Sequence, residues 1–579
     1  MPVPPIRTVA GVLAEFDSGF SEFAASFTAG DYVLWLGSGI SRDVVPDVQD
    51  LLIRVLEMLR SNIDQSNPEC PYLAALKEAL SLAGLSQAEA DAIDLAMPVT
   101  SWADHDQIAR RLTSKYAEVL DLPVSGQPAD YLVWNGLDVP GTYGNPALAP
   151  DVEHFCVALL ILEGVVGSAV TANWDGLIEQ ALAALAKEPE AIIRVIVRGE
   201  DFRQSKRRGE LIKFHGCAVR ARDDEGTYRP LLTARQQQIS GWTERSENRV
   251  MRNQLETLYT ANPSLVIGLS IQDANMHTMI ARSSEDLPRP WPHTPPAVVL
   301  TEEQLQPYHR LVLQTTYGST TYAADATAIN QSAVLGSFAK PTLLALLLWT
   351  FTDKLLWVLS CLPVNSYWDA SQTGRLRFDL QQLRDIVASY AEPDNRAFLS
   401  QLINLSSLIL GVFRSGHAPA SGGATYEPLS DRPIRDALLN PDFPAAAFGH
   451  LAIAISLLGR GHAAGAWTLL PGTTGIAKEG VVRLVTPPSS SASREVRVFL
   501  VKDASAAITL TMDGLADEDD PSTLFVLAER ESTSSVRSPR PRYGRVGATG
   551  ATRVSIADIY EAAGSADDLY SDFKLAGGF

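Results

Sequence analysis

Short apolar runs alternate with segments of helical period through the first half of this chain, and that alternation leaves few folds open. The run Tyr32 to Leu36 ends in Gly37-Ser38-Gly39-Ile40-Ser41 and is followed by Val48 to Leu59. There Leu51, Leu52, Val55, Leu56 and Leu59 fall at helical spacing. Further strand-like runs come at Gly167–Thr171, Ile192–Val197, Leu211–Phe214, Leu265–Gly268 and Ala297–Leu300, with helices expected at Leu177–Leu185 and Val250–Tyr259. Between Pro71 and Pro150 the pattern is helical (Tyr72–Ala83, His105–Val119) with a glycine- and proline-rich loop. Strands separated by helices predict an α/β fold with a doubly wound parallel sheet covered on both faces. In such sheets ligands bind beyond the carboxyl ends of the strands.

The second half reads differently. Pro341–Leu362, Phe398–Phe413 and Ala445–Leu458 look helical, and short β-like runs follow at Val481–Val485, Glu495–Val501, Ala507–Thr511 and Thr523–Leu527. The expected organisation is one unit over residues 25–310, with a helical insertion at about 65–150, and a C-terminal region over 320–579, helical and then β-rich. The length of 579 residues suits two to four domains with proper cores. The most apolar stretch, Leu343–Cys361, carries Asp353 and Lys354 at its middle. A charge there would cost about 2.5–3.5 kcal/mol in a bilayer, so a buried helix and no membrane are expected.

Four cysteines lie scattered with no Cys-x-x-Cys pair. This leaves no zinc ribbon and no disulfide framework, and it fits a reducing cytoplasm. With 48 basic and 67 acidic side chains the net charge is −19, which argues against direct nucleic-acid binding through an electropositive surface. Arg537, Arg540, Arg542 and Arg545 form a local basic stretch in what reads as an exposed loop. There is no Gly-x-Ser-x-Gly elbow and no His-Glu-x-x-His helix. Gly472 to Lys478 only partly echoes a phosphate-binding loop.

Four motifs end strands and so converge on one crevice: Gly37-Ser38-Gly39-Ile40-Ser41, Thr171-Ala172-Asn173-Trp174-Asp175, Lys213-Phe214-His215-Gly216 and Gly268-Leu269-Ser270-Ile271-Gln272-Asp273. Glycines after a strand let backbone amides approach a phosphate. The first motif lacks the third glycine of the dinucleotide fingerprint, and a tight turn alone would produce the same spacing. Asn173 offers an amide able to fix hydroxyls and a water. His215 is suited to general-base work near neutral pH. Asp175 and Asp273 could equally cap the helices that follow them.

In this order the motifs, over about residues 25 to 300, resemble the sirtuin-like superfamily, with its GAG-x-S turn, T-x-N-x-D strand end, HG pair and later G-x-S motif. The closest likeness is to the sirtuin-like domains of bacterial antiphage defence proteins, whose Gly-x-Ser-x-x-Asp form is matched by Gly268, Ser270 and Asp273. The resemblance implies a Rossmann-like sheet with a small subdomain and NAD as substrate. Gly37, Ser38, Gly39 and Ser41 would then hold the pyrophosphate and adjacent ribose, Asp175 would lie near the nicotinamide, and Gly268 and Ser270 would meet the adenosine side. Asn173 and His215 would be the catalytic pair. Two departures separate the chain from deacetylating sirtuins: it lacks their zinc module, so no metal is expected, and Ala172 stands where they usually have Gln.

The implied activity is a regulated NAD glycohydrolase that releases nicotinamide and ADP-ribose and depletes NAD in abortive infection. The alternatives are an NAD-dependent protein deacylase or ADP-ribosyltransferase, and a non-catalytic nucleotide sensor. Such an enzyme needs restraint. The C-terminal region is therefore expected to sense, to form a homo-oligomer or to bind a partner, such as a hexameric DNA-translocase ATPase or a short argonaute.

Overall fold

The structure, a computed structural model, describes residues 8–363, 368–418, 426–471, 480–487, 493–530 and 550–579. Six apolar runs form strands: β1 Val33–Leu36, β2 Ser168–Thr171, β3 Ile193–Ile196, β4 Gly209–Lys213, β5 Ser264–Ile267 and β6 Val298–Leu300. They lie in the order β3-β4-β2-β1-β5-β6, and every pairing is parallel. In β1 all four residues are buried, as expected of a central strand covered on both faces.

One face carries Leu34, Leu36, Ala169, Leu211 and Leu265 and is covered by Val9–Phe16, Ser21–Thr28, Val152–Leu162, Leu177–Leu185 and part of Ala339–Ser360. The other carries Val33, Trp35, Val170, Ile212 and Val266 under Arg249–Ala261, Ala274–Asp286, Pro307–Tyr317 and Ser319–Ala333. The result is a doubly wound, Rossmann-like α/β/α sandwich. From β1 the chain winds first toward β3 and then, after β4, returns to the other side of β1. The crevice at this reversal is where such sheets take ligands.

Among the described residues, the chain between β1 and β2 is helical and forms a satellite core in which Leu76, Leu80, Ile108 and Leu112 pack with Leu52 and Leu56. The continuous helix expected over His105–Val119 is interrupted: His105–Thr113 ends at Ser114, and Tyr116–Leu120 starts anew. The break aims Tyr116 at the strand ends.

The second half holds a mixed sheet, β7 Thr468–Pro471, β8 Val482–Val485, β9 Glu495–Val501, β10 Thr523–Leu527 and β11 Thr552–Ser555, in the order β11-β10-β9-β8-β7. β9, β10 and β11 are parallel, while β8 and β7 run antiparallel to their neighbours. The run Ala507–Thr511, expected as a strand, lies instead within the helix Ala504–Met512. Its Ile-Thr-Leu-Thr alternation suggests β, but two parallel strands need a crossover, and the Asp503 side chain caps that helix by accepting from Ala506 N.

Ala339–Ser360 and Asn395–Ser415 have the length and apolar composition of a membrane span. The first is a core helix, with 67% of its most apolar window inside the protein; the second has 33%. Leu343 to Leu348 of the first pack against the six-stranded sheet, and Val358, Leu359 and Leu362 join the core of the second half. The arginines of Ser532–Arg545 and the Gly472–Lys478 segment lie outside the described residues.

Candidate functional site

The four motifs leave the carboxyl ends of β4, β2, β1 and β5, which are consecutive neighbours in the sheet. The glycine turns after β1 and β5 are in backbone contact. Gly37 N donates to Ile267 O and Gly39 N to Gly268 O, each at 3.0 Å. A Cβ on Gly39 would stand 2.6 Å from Gly268 Cα, and one on Gly268 (φ +62°) would stand 2.8 Å from Gly39 Cα. The glycines are thus required by the close approach of two turns, with these amides committed to it. Gly268→Ala is expected to destabilise the protein by about 2–3 kcal/mol, since it combines a left-handed φ with a backbone clash. Urea unfolding checks this; a loss below about 0.5 kcal/mol would mean the turns are not so tightly apposed.

The next turn stores strain as well. Ile271, a β-branched residue, has φ +51° and is buried. Its neighbour Leu269 is held through its carbonyl by His309 Nε2 at 2.9 Å. Ser38 and Ser270 are both exposed on their turns.

Asn173 follows β2, and its backbone amide donates to Thr171 Oγ1. Its side-chain Nδ2 donates to Gly37 O at 3.1 Å and to Ser41 Oγ at 3.3 Å. Because a carbonyl only accepts, nitrogen must face Gly37, and both Nδ2 hydrogens are then used. Oδ1 is left as the group of this amide without a protein partner among the described residues. The side chain therefore offers an acceptor, not a donor, to the crevice. Its neighbour Trp174 is anchored in the satellite core, edge-on to Tyr143 with ring centroids 5.3 Å apart.

Ser41 is buried and saturated. Its Oγ lies 3.0 Å from His154 Nε2 and donates to Asp175 Oδ2 at 3.0 Å. Asp151 N donates to His154 Nδ1 at 3.1 Å, so the proton of the neutral ring sits on Nε2 and points at Ser41. Burial pushes the His154 pKa down, which favours that neutral form. With two donors and one acceptor around it, the Ser41 hydroxyl orients Asn173 and Asp175 and has no capacity to spare. Asp175 in turn accepts from Leu177 N at 3.2 Å, so its carboxylate both opens the following helix and closes this network. Buried Lys213, bonded to Asp175 O and 2.8 Å from Glu179 Oε1, ties this loop to β4.

His215, after β4, is buried beside Phe214. Asn275 Nδ2 lies 2.8 Å from its Nε2, while Asn275 Oδ1 accepts from Met276 N. The amide is thus oriented with nitrogen toward the imidazole. His215 therefore accepts at Nε2 and carries its proton on Nδ1. Burial pushes its pKa down, opposed by Asp273. Asp273 does not cap its helix with its side chain; it accepts from Tyr116 of the satellite core at 3.1 Å.

The structure thus joins Gly37, Ser41, Asn173 and Asp175 in one network, and Gly37, Gly39 and Gly268 in one backbone contact. His154 and Asn275 escaped the sequence reading. Asn275 stands two residues beyond the last motif and could have been suspected; His154 gives no local signal. Among the described residues no group of three or more His, Cys, Asp or Glu side chains could hold a metal ion. A cavity of about 770 Å³ lies elsewhere, at the amino ends of β3 and β4. Its Arg208 and Arg414 are paired with Asp431 and Glu427.

Beside this network Glu153 is buried, and burial pushes its pKa up to about 7. Its nearest cation, Lys340, is 3.8 Å away. A carboxyl that binds its proton more tightly when folded stabilises fully below its unfolded value near 4.5 and loses that contribution as pH rises to about 7. Glu153→Gln should therefore be more stable than wild type at pH 8 by up to about 3 kcal/mol and little different at pH 4.5. Parallel stability–pH curves for the two proteins would refute this.

Residues 167–322 match the family model of the SIR2-like domain. The match spans three of the four motifs, from β2 into the Ser319–Ala333 helix. No curated protein matches the chain.

Proposed function

We propose, for a chain that carries a sirtuin-like domain, that it hydrolyses NAD to nicotinamide and ADP-ribose. The observation that carries this reading is the Asn173 amide. It is fixed by Gly37 and Ser41 so that its oxygen is free at the end of β2, and the neighbouring strand β4 ends in a buried neutral histidine.

In this reaction the bond between ribose C1′ and the pyridinium nitrogen breaks, its electron pair leaves with neutral nicotinamide, and a water oxygen bonds to C1′. The transition state is oxocarbenium-like, so the site gains most by orienting ribose and water and by excluding other nucleophiles. Asn173 Oδ1 would accept from a ribose hydroxyl or from the water. The attacking water turns acidic as its bond forms, and neutral His215 can take its proton once the Asn275 amide yields Nε2. The lack of a Cys-x-x-Cys pair favours hydrolysis over zinc-bearing deacylation.

The sequence resemblance extends the proposal to antiphage abortive infection, with the second half controlling the activity through self-association or a partner protein. Purified full-length protein is incubated with NAD, with and without an acetylated peptide, and nicotinamide and ADP-ribose are quantified. Equal release of both without peptide is expected. Consumption only with peptide would instead mark a deacylase, and tight NAD binding without product a sensor.

A further inference from the structure

Two cations of the second half meet on Asp151, and one of them also reaches Asp43 in the turn that holds Asn173. Lys340, in the first turn of Ala339–Ser360, places Nζ 2.8 Å from Asp43 Oδ2, just past Ser41, and 3.3 Å from Asp151 Oδ2. Arg396, in the first turn of Asn395–Ser415, grips Asp151 Oδ1 with Nη2 at 2.9 Å and Nε at 3.1 Å. Asp151 caps the Val152–Leu162 helix and is itself buried. Its amide is the donor that fixes the His154 ring, and that ring fixes Ser41. The path from the second half to Asn173 is thus an ion pair followed by directed hydrogen bonds, each with a single allowed sense.

We propose that His154 is a positioning residue for NAD cleavage, held in place by the Lys340 and Arg396 grip on Asp151. The second half then acts on the site through Asp151, His154 and Ser41 without touching the substrate. The inference rests on the NAD-cleaving reading. If the grip slackens, the Asp151 amide leaves Nδ1, the imidazole can turn, and Ser41 loses the donor that directs its own hydrogen to Asp175. Asn173 then leans on a Ser41 hydroxyl no longer fixed by His154, and only its bond to Gly37 O stays firmly placed. Its oxygen is still present to bind ribose but is poorly aimed, so turnover suffers more than binding. Arg396 suits a control arm because its side chain is 71% exposed, within reach of a partner, while the carboxylate it holds is buried. In Arg396→Gln the buried Asp151 carboxylate keeps Lys340 as counter-charge on Oδ2, so folding should persist while the grip is loosened.

The test uses the full-length chain. Arg396→Gln and Lys340→Gln should each lower kcat for nicotinamide release about five-fold, with KM within about two-fold. His154→Gln, which keeps an N–H donor where Nε2 stands, should retain most activity; His154→Phe should lose at least about ten-fold. A second readout is independent of turnover. With ¹⁵N-labelled histidine, the His154 resonance, identified by its loss in His154→Gln, should report the Nε2–H tautomer and should move in Arg396→Gln. An Nδ1–H tautomer, an unmoved signal in Arg396→Gln, or wild-type kcat in both cation variants would overturn the proposal. If the wild type releases no nicotinamide, the catalytic reading fails, and the His154 signal alone then decides the positioning chain.

Discussion

Asn173→Ala should lower kcat for nicotinamide release by about 10²–10³-fold while leaving the melting temperature within about 2 °C of wild type. The size follows from the usual cost of removing one preorganised hydrogen-bonding group from a site where charge develops. The small effect on stability follows from placement: Asn173 is half-buried on a loop, and its amide bonds only to Gly37 O and Ser41 Oγ. Asn173→Asp sharpens the experiment. It has the same shape, but an acceptor then faces the Gly37 carbonyl, so activity should fall as far as in the alanine variant and stability further, by about 1–3 kcal/mol. Wild-type turnover in Asn173→Ala would remove this amide from the mechanism. A matching fall in KM would instead show that it strains bound substrate.

The second large effect concerns stability. Lys354 Nζ is buried in the long helix and donates to Glu163 Oε2 at 2.5 Å, and to Glu163 O and Ser430 O at 2.7 Å each. Glu163, wholly buried, also accepts from Tyr426. Lys354→Met would leave a buried carboxylate without its counter-charge and should cost about 3–5 kcal/mol. Adding Glu163→Leu to that variant should recover much of the loss, because two apolar groups in place of a buried ion pair are often close to neutral. Guanidinium unfolding of the two variants measures both. A loss under about 1 kcal/mol in Lys354→Met would show that water reaches this pair.

The charge that argued against a membrane span for this helix is therefore also its anchor. That much was legible from composition. So were the strands of the first sheet, because each is a buried apolar run bounded by a polar turn, and periodicity reports burial directly. The edge strands Thr468–Pro471 and Thr552–Ser555 were not, since short edge strands carry weak apolar signals. Ala507–Thr511 misled because its alternation is real and was overridden by the crossover that parallel β9 and β10 demand.

The site divides in the same way. Where the strand-end motifs stand was legible, because fold class alone says where those ends point. His154 and Lys340 were hidden, because each acts through a partner more than a hundred residues away, and no local pattern encodes that distance. Ser41 lies on the turn after β1, where the motif order puts it. The sequence marks it as a ligand contact; the geometry makes it the joint between three side chains.

The helix Ala339–Ser360 has a consequence for how the chain is made. Leu343 to Leu347, fully buried against the sheet, follow the last strand-end motif in sequence. A ribosome that has just completed β6 has produced every strand around the crevice but not the helix that covers one face of the sheet. Synthesis at about 5–20 residues per second leaves several seconds in which that face stays open. Arg396 emerges later still. The crevice is thus complete in sequence before it is complete in structure, and a chain cut short before Arg396 would lack the full pair of cations that grip Asp151 together.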